Sequence, residues 1–163
     1  MKNILTKIFS PKNELSSKEM SFLEITKTTK VSELFNVISN YNDLGEIRYV
    51  GGCVRKILNN EKFDDIDLAT NLKPEEVKEC LKNNNIDFFE TGIEHGTITA
   101  RIEERNFEIT SLRKDVSTDG RRAVVEFTNQ WMEDSLRRDF TINSIYADKE
   151  GNLFDPNLSL IHI

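Results

Sequence analysis

The chain reads as one small mixed α/β domain, a twisted β-sheet flanked by helices. Three observations predict it. Short runs rich in β-branched and aromatic residues alternate with segments of helical period. Two adjacent glycines, Gly51 and Gly52, separate an apolar run from a helical one, and an acidic pair, Asp65-Ile66-Asp67, leads straight into a second apolar run. At 163 residues and 37% apolar content the chain builds one modest core. That domain is expected over residues 31–157, preceded by a mobile arm or short capping helix over 1–30.

The elements follow in order. Residues 31–44 place Leu34, Phe35, Ile38 and Tyr41 on one helical face, which is expected to cover one side of the sheet. Ile47–Val50 is a strand running into the glycine turn, a short helix occupies 54–58, and 65–69 is the strand bearing the acids. Pro74, Glu75 and Glu76 suit the first turn of a helix that carries Val77, Cys80 and Leu81 inward. Strands are predicted over 86–89, 97–102 and 107–112, with Glu104-Arg105-Asn106 turning the last two into a hairpin. Residues 113–122 are polar, contain Asp119-Gly120 and read as a mobile loop, while 124–127 is too short to assign. Residues 133–140 have helical composition, and 144–147 pairs with 153–154 around a turn at 149–152.

A charged content of 31% and a net charge of −6 leave no basic footprint of the kind a free-standing nucleic-acid binder shows. No run approaches the roughly 20 apolar residues of a membrane span, and the N-terminus lacks the continuous apolar stretch of a signal peptide. Cys53 and Cys80 have no metal-ligand spacing, which favours two small buried residues and a reducing cytoplasm. Leu158-Ser159-Leu160-Ile161-His162-Ile163 is what a common transposon-end sequencing adapter encodes, so residues 158–163 are expected to be foreign to the gene.

The glycines and the acids together lay out a phosphate-and-metal site. Glycine lets backbone N–H groups approach an anion closely at the start of a helix. Asp65 and Asp67 are two apart, so on a strand both leave the same face and supply hard oxygen ligands to a divalent cation. Arg55, on the first turn of the glycine-led helix, suits bidentate contact with a phosphate. His95, before Gly96, has only His162 for company, so no zinc set or catalytic triad forms and a structural role is expected. Trp131 and the phenylalanines read as core.

Gly51-Gly52-Cys53-Val54-Arg55, Asp65-Ile66-Asp67-Leu68-Ala69-Thr70, Glu94-His95-Gly96-Thr97, Phe107-Glu108-Ile109-Thr110-Ser111-Leu112-Arg113-Lys114-Asp115, Asp119-Gly120-Arg121-Arg122 and Glu133-Asp134-Ser135-Leu136-Arg137-Arg138-Asp139-Phe140-Thr141-Ile142-Asn143 succeed one another along the chain. In that order they resemble the head domain of bacterial CCA-adding tRNA nucleotidyltransferases and poly(A) polymerases. The likeness runs from about Arg48 to Pro156. Lys56 departs from it, standing where the family usually has an aspartate, and Ala123 stands where a proline commonly follows the arginine pair.

The resemblance implies a nucleotidyltransferase that adds nucleotides from ATP and CTP to an RNA 3′ end without a template, using Mg²⁺. CCA addition to tRNA is favoured over poly(A) synthesis, and a non-catalytic nucleotide-binding module of the same fold is the remaining alternative. It makes Glu108 a third catalytic carboxylate beside Asp65 and Asp67, and assigns Arg138 and Asp139, with Asn143, to the ribose and phosphates of the nucleotide. Members continue after Phe154-Asp155-Pro156 into helical neck, body and tail domains. Without those domains the 163 residues alone are expected to bind triphosphates yet add nucleotides poorly.

Overall fold

The computed structural model describes residues 12–119, 122–138 and 141–157. Among these the chain forms helices α1 (Lys12–Thr28), α2 (Val31–Ser39), α3 (Gly52–Leu58), α4 (Pro74–Asn83) and α5 (Trp131–Leu136). Its strands are β1 (Ile47–Val50), β2 (Asp67–Thr70), β3 (Asp87–Gly92), β4 (Thr97–Ile102), β5 (Arg105–Ser111), β6 (Arg113–Asp119), β7 (Arg122–Phe127), β8 (Tyr146–Ala147) and β9 (Leu153–Phe154). Seven strands make one mixed sheet in the order β3-β4-β5-β2-β1-β8-β9, and β6 pairs with β7 as a separate ribbon. Only β2 and β5 run parallel in that sheet, because β2 reaches β5 through the crossover of α4, β3 and β4.

Each face of the sheet carries its own core. Tyr49, Leu68, Ile98, Phe107 and Ile109 meet Leu34 and Ile38 of α2, Val54 of α3 and Val77 and Leu81 of α4 on one face. On the other, Val50, Ala69, Leu112 and Tyr146 are covered by Trp131 at the start of α5 and by Phe154. The strand pleat explains the division: Tyr49 and Val50, or Leu68 and Ala69, are neighbours in sequence and so point opposite ways. Asp67 shares the α5 face with Ala69. The helices therefore lie on both faces, four against one and α5 against the other.

Several expected elements change in extent. Residues 12–28, expected to be part of a mobile arm or short capping helix, form a 17-residue helix whose Phe22 is fully buried against Tyr49, with ring centroids 5.5 Å apart. Thr26 adds a 2.7 Å hydrogen bond to the Tyr49 hydroxyl. Helix α2 ends at Ser39 rather than at residue 44, because Asn42 turns the chain: its side chain accepts from the Leu44 N–H at 2.9 Å and its carbonyl from the Gly45 N–H at 3.2 Å. At Gly45 a Cβ would stand 2.4 Å from the Ile38 carbonyl oxygen, so this return requires glycine. Helix α4 starts as expected at Pro74, and Glu76 reaches back to accept from the Lys73 N–H at 2.7 Å.

The largest correction concerns the expected loop at 113–122. It is a β-ribbon in which Arg113 pairs with Phe127 and Asp119 with Arg122, bulged between Asp115 and Ser117. A ribbon outside the main sheet needs no continuous apolar face, so polar composition does not mark it as a loop. Helix α5 stops at Leu136, short of residue 140, and β5 begins at Arg105, leaving Glu103 and Glu104 as the hairpin turn with Glu103 at φ 55°. The expected foreign tail, 158–163, lies outside the described residues.

Candidate active site

Strand β1 delivers the chain to Gly51, whose φ of 73° belongs to the left-handed region. A Cβ there would make only an ordinary contact, 3.6 Å from Asp67 Oδ2, so it is the backbone conformation that calls for glycine, and the turn lies beside the acid. Gly52 opens α3 with no atom within 4 Å of a Cβ position, leaving clear space beside the backbone. Asp67 begins β2 and stands opposite Glu108 of β5 in the parallel ladder, so the two side chains project from one face. Asp65 precedes the strand instead of lying in it, because pairing starts only at Asp67; it is exposed, as is Glu108, while Asp67 is half-buried.

Burial, then Glu108, then Asp65, pushes the Asp67 carboxyl above the usual carboxylate range, and Arg138 and Lys56 oppose them. The three acids therefore share one electrostatic neighbourhood, and Lys56 stands within it as a counter-charge. Their carboxylate oxygens are the donor type that Mg²⁺ takes. Among the described residues, however, no three His, Cys, Asp or Glu side chains are gathered tightly enough to ligate one ion. The assembled part is the Asp67–Glu108 pair, with Asp65 contributing from the preceding turn.

Arg55 of α3 donates through Nη1 to Asn143 Oδ1 at 3.3 Å. Asn143 lies beyond α5 in a separate 3₁₀ turn, Thr141–Ser144, and meets Arg55 there. Arg138 donates to Asp134 from Nε at 3.0 Å and from Nη2 at 2.9 Å. Asp139 lies outside the described residues. The His95 ring is exposed, and its carbonyl accepts from the Arg113 guanidinium, a structural use. Trp131 is only half-buried; it donates from Nε1 to Glu46 at 2.8 Å and carries the Arg48 guanidinium 4.1 Å above its ring.

Sequence reasoning missed Asp134, which is fully buried and binds both arginines. Its signal was the spacing to Arg137 and Arg138, three and four residues on, which on a helix brings the side chains together. Free Cys53 lies behind the acids, its thiol 3.7 Å from the Asp67 carbonyl and pushed up to about 11 by burial, so it is an inert packing group. A hollow of about 360 Å³ between β1 and the β8–β9 hairpin contains none of Asp65, Asp67 and Glu108. No helix among the described residues is long and apolar enough to cross a membrane.

Residues 47–158 match the family described as the Poly A polymerase head domain. The chain is 47% identical over 143 residues to the mitochondrial CCA tRNA nucleotidyltransferase 1 of Homo sapiens, covering 87% of this chain and 32% of that protein. It is 38% identical over 136 residues to the CCA-adding enzyme of Lactobacillus johnsonii, covering 79% and 33%. Among solved structures it resembles the Bacillus stearothermophilus CCA-adding enzyme in complex with CTP, with a TM-score of 0.65, 29% identity, and coverage of 79% of this chain and 30% of that one. A tRNA nucleotidyltransferase complexed with a primer tRNA and an incoming ATP analog shares the fold at a TM-score of 0.55 and 24% identity. The chain spans about a third of the length of the curated relatives it matches.

Proposed function

The chain belongs to the poly(A) polymerase head-domain family, and from that premise we propose that it is the catalytic head of a nucleotidyltransferase that completes the CCA end of tRNA. The observation that carries the reading is the Asp67–Glu108 pair across the parallel β2–β5 ladder, beside a glycine turn, in a chain 47% identical to a CCA tRNA nucleotidyltransferase. ATP and CTP are the donors and the tRNA 3′ end the acceptor. The CTP complex of a structural relative at 29% identity supports the nucleotide assignment.

The reaction is attack by the RNA 3′-hydroxyl on the α-phosphorus of the triphosphate, in line with a departing pyrophosphate. Asp65 and Asp67 would hold Mg²⁺ together with the phosphates of the nucleotide, with Glu108 beside them; when bound the ion supplies charge neutralisation at the phosphates and lowers the pKa of the attacking hydroxyl. Little covalent work remains for the protein, which orients groups and balances charge. The open backbone at Gly51 and Gly52 admits the phosphates, and Arg55, steadied by Asn143, contacts them. Arg138 and Asp139 read the ribose and so favour ribonucleotides. The free, buried Cys53 and Cys80 support a reducing compartment, and the cytoplasm is our assignment.

The test is incorporation of labelled CTP and ATP into tRNA lacking its CCA end by the full-length gene product. Asp65→Ala and Asp67→Ala should each abolish it with the fold intact. Open-ended tails from ATP alone would assign poly(A) synthesis instead, the reading that the family's description favours. Triphosphate binding without any transfer would assign a non-catalytic module.

A further inference from the structure

Asp134 of α5 is a carboxylate at 0% exposure, outside the set of groups that would touch nucleotide or metal. Its Oδ1 accepts from Arg137 Nε at 2.8 Å, from Arg137 Nη2 at 2.7 Å and from the Arg113 backbone N–H at 3.2 Å. Its Oδ2 accepts from Arg138 Nε at 3.0 Å, from Arg138 Nη2 at 2.9 Å and from the Tyr146 hydroxyl at 2.7 Å. Every acceptor direction of the carboxylate is used. Burial of an ion pair is weak evidence for stability, because apolar groups of equal volume often do as well. Its place in the fold indicates what else it does. Arg138, bonded to Asp134, also counts among the charges that oppose the rise of the Asp67 carboxyl, so its guanidinium lies within electrostatic reach of that acid. The Tyr146 ring, 5.5 Å from that guanidinium, limits it on a further side.

We propose that Asp134 is a positioning residue: it fixes Arg138 in the orientation that meets the nucleotide, and through its other oxygen ties that arginine to Arg113 at the base of the β6–β7 ribbon. The inference rests on the reading of Arg138 as a nucleotide contact. Two separate oxygens, one for Arg138 with Tyr146 and one for Arg137 with Arg113, explain why the group is an acid. An asparagine has one acceptor oxygen and an NH₂ that would face the other arginine, so it must release one side. A glutamate adds a methylene where no space is exposed.

The experiment is a double-mutant cycle in the full-length protein, with the affinity for ATP in Mg²⁺ read by calorimetry and folding checked by thermal melting. Asp134→Asn should weaken ATP binding by roughly 10- to 100-fold, the usual cost of removing a group that orients a ligand-holding residue. In the Arg138→Gln background the same change should add less than about 2-fold, since an effect exerted through Arg138 cannot be lost twice. Equal losses in both backgrounds, or full ATP affinity in folded Asp134→Asn with Arg138→Gln impaired, would overturn the proposal. Full affinity in Arg138→Gln would instead remove the reading of Arg138 on which it rests. If Asp134→Asn does not fold, Tyr146→Phe keeps both the carboxylate and the core volume. Several-fold weaker binding, absent when Arg138→Gln is also present, supports the proposal, and unchanged binding overturns it.

Discussion

Asp67→Asn should make the protein more stable while abolishing nucleotide transfer. Asp67 is half-buried and its carboxyl lies above the ordinary range because of burial, Glu108 and Asp65, in that order. An acid whose folded value is raised binds protons more readily in the folded state. Its stabilising contribution is full below the ordinary carboxylate value, about 3.9, and is lost as pH rises through the folded value, so at neutral pH the ionised group works against folding. The magnitude follows from the ladder. Residues opposed on neighbouring strands are about 5 Å apart, where two unit charges repel by roughly 1–3 kcal/mol for effective dielectrics between about 80 and 20. Glu108 is exposed, so screening selects the low end, about 1 kcal/mol. In a chain of this size that raises Tm by roughly 2–4 °C. The assay is thermal unfolding at pH 7 in low salt without divalent cations, repeated toward pH 4, where protonation should close the gap between wild type and variant. Mg²⁺ with ATP should stabilise the wild type and leave the variant unmoved. A variant that melts at or below the wild-type temperature at pH 7 would refute the charge-repulsion argument.

Burial alone would raise the Asp134 carboxyl, but Arg138 and Arg137 hold it below the ordinary range. Its stabilising contribution is therefore present above about 3.9 and lost as pH falls through the depressed folded value, so Asp134→Asn should flatten the acid limb of the stability–pH profile measured by urea unfolding. Phe22→Ala, at 0% exposure, should cost about 3–5 kcal/mol in urea unfolding; a change near zero would detach α1 from the core. Asp139→Ala in the full-length protein should erase the preference for ribonucleotides over deoxyribonucleotides in competition assays while metal binding persists, and an unaltered preference would remove Asp139 from sugar recognition.

What the sequence showed depended on whether the governing interactions were local. Strands β1 and β4 and the α4 start at Pro74 carry their signals within their own residues and appear where expected. Asp67 and Glu108 were brought together by the family resemblance, and only the structure shows the parallel register that opposes them. For residues 12–28 the sequence left a mobile arm and a capping helix open, because Phe22 owes its burial to distant Tyr49. Residues 113–122 read as a loop because the strands of the ribbon pair with each other and not with the sheet. Asp134 went unassigned because its partners are only partly local: Arg137 and Arg138 are its sequence neighbours, but Tyr146 lies 12 residues on and Arg113 21 residues back.

The charge arrangement around β2 separates two tasks that the net charge of −6 would otherwise set against each other. A polyanionic acceptor and a triphosphate both need positive charge, while metal binding needs acids. On the proposed reading, Arg138 and Lys56 supply positive charge within the field of Asp67 itself, beside the groups that would ligate the metal. Each also favours the ionised form of Asp67, the form that ligates a cation, against the burial that opposes it. Fixing an arginine beside a carboxylate invites the two to collapse into a pair that would compete with both ligands. Asp134 prevents this by occupying the Nε and Nη2 donors of Arg138 from behind. The buried acid thereby maintains separation between the site's own opposite charges, which is what leaves both available to a nucleotide and its metal.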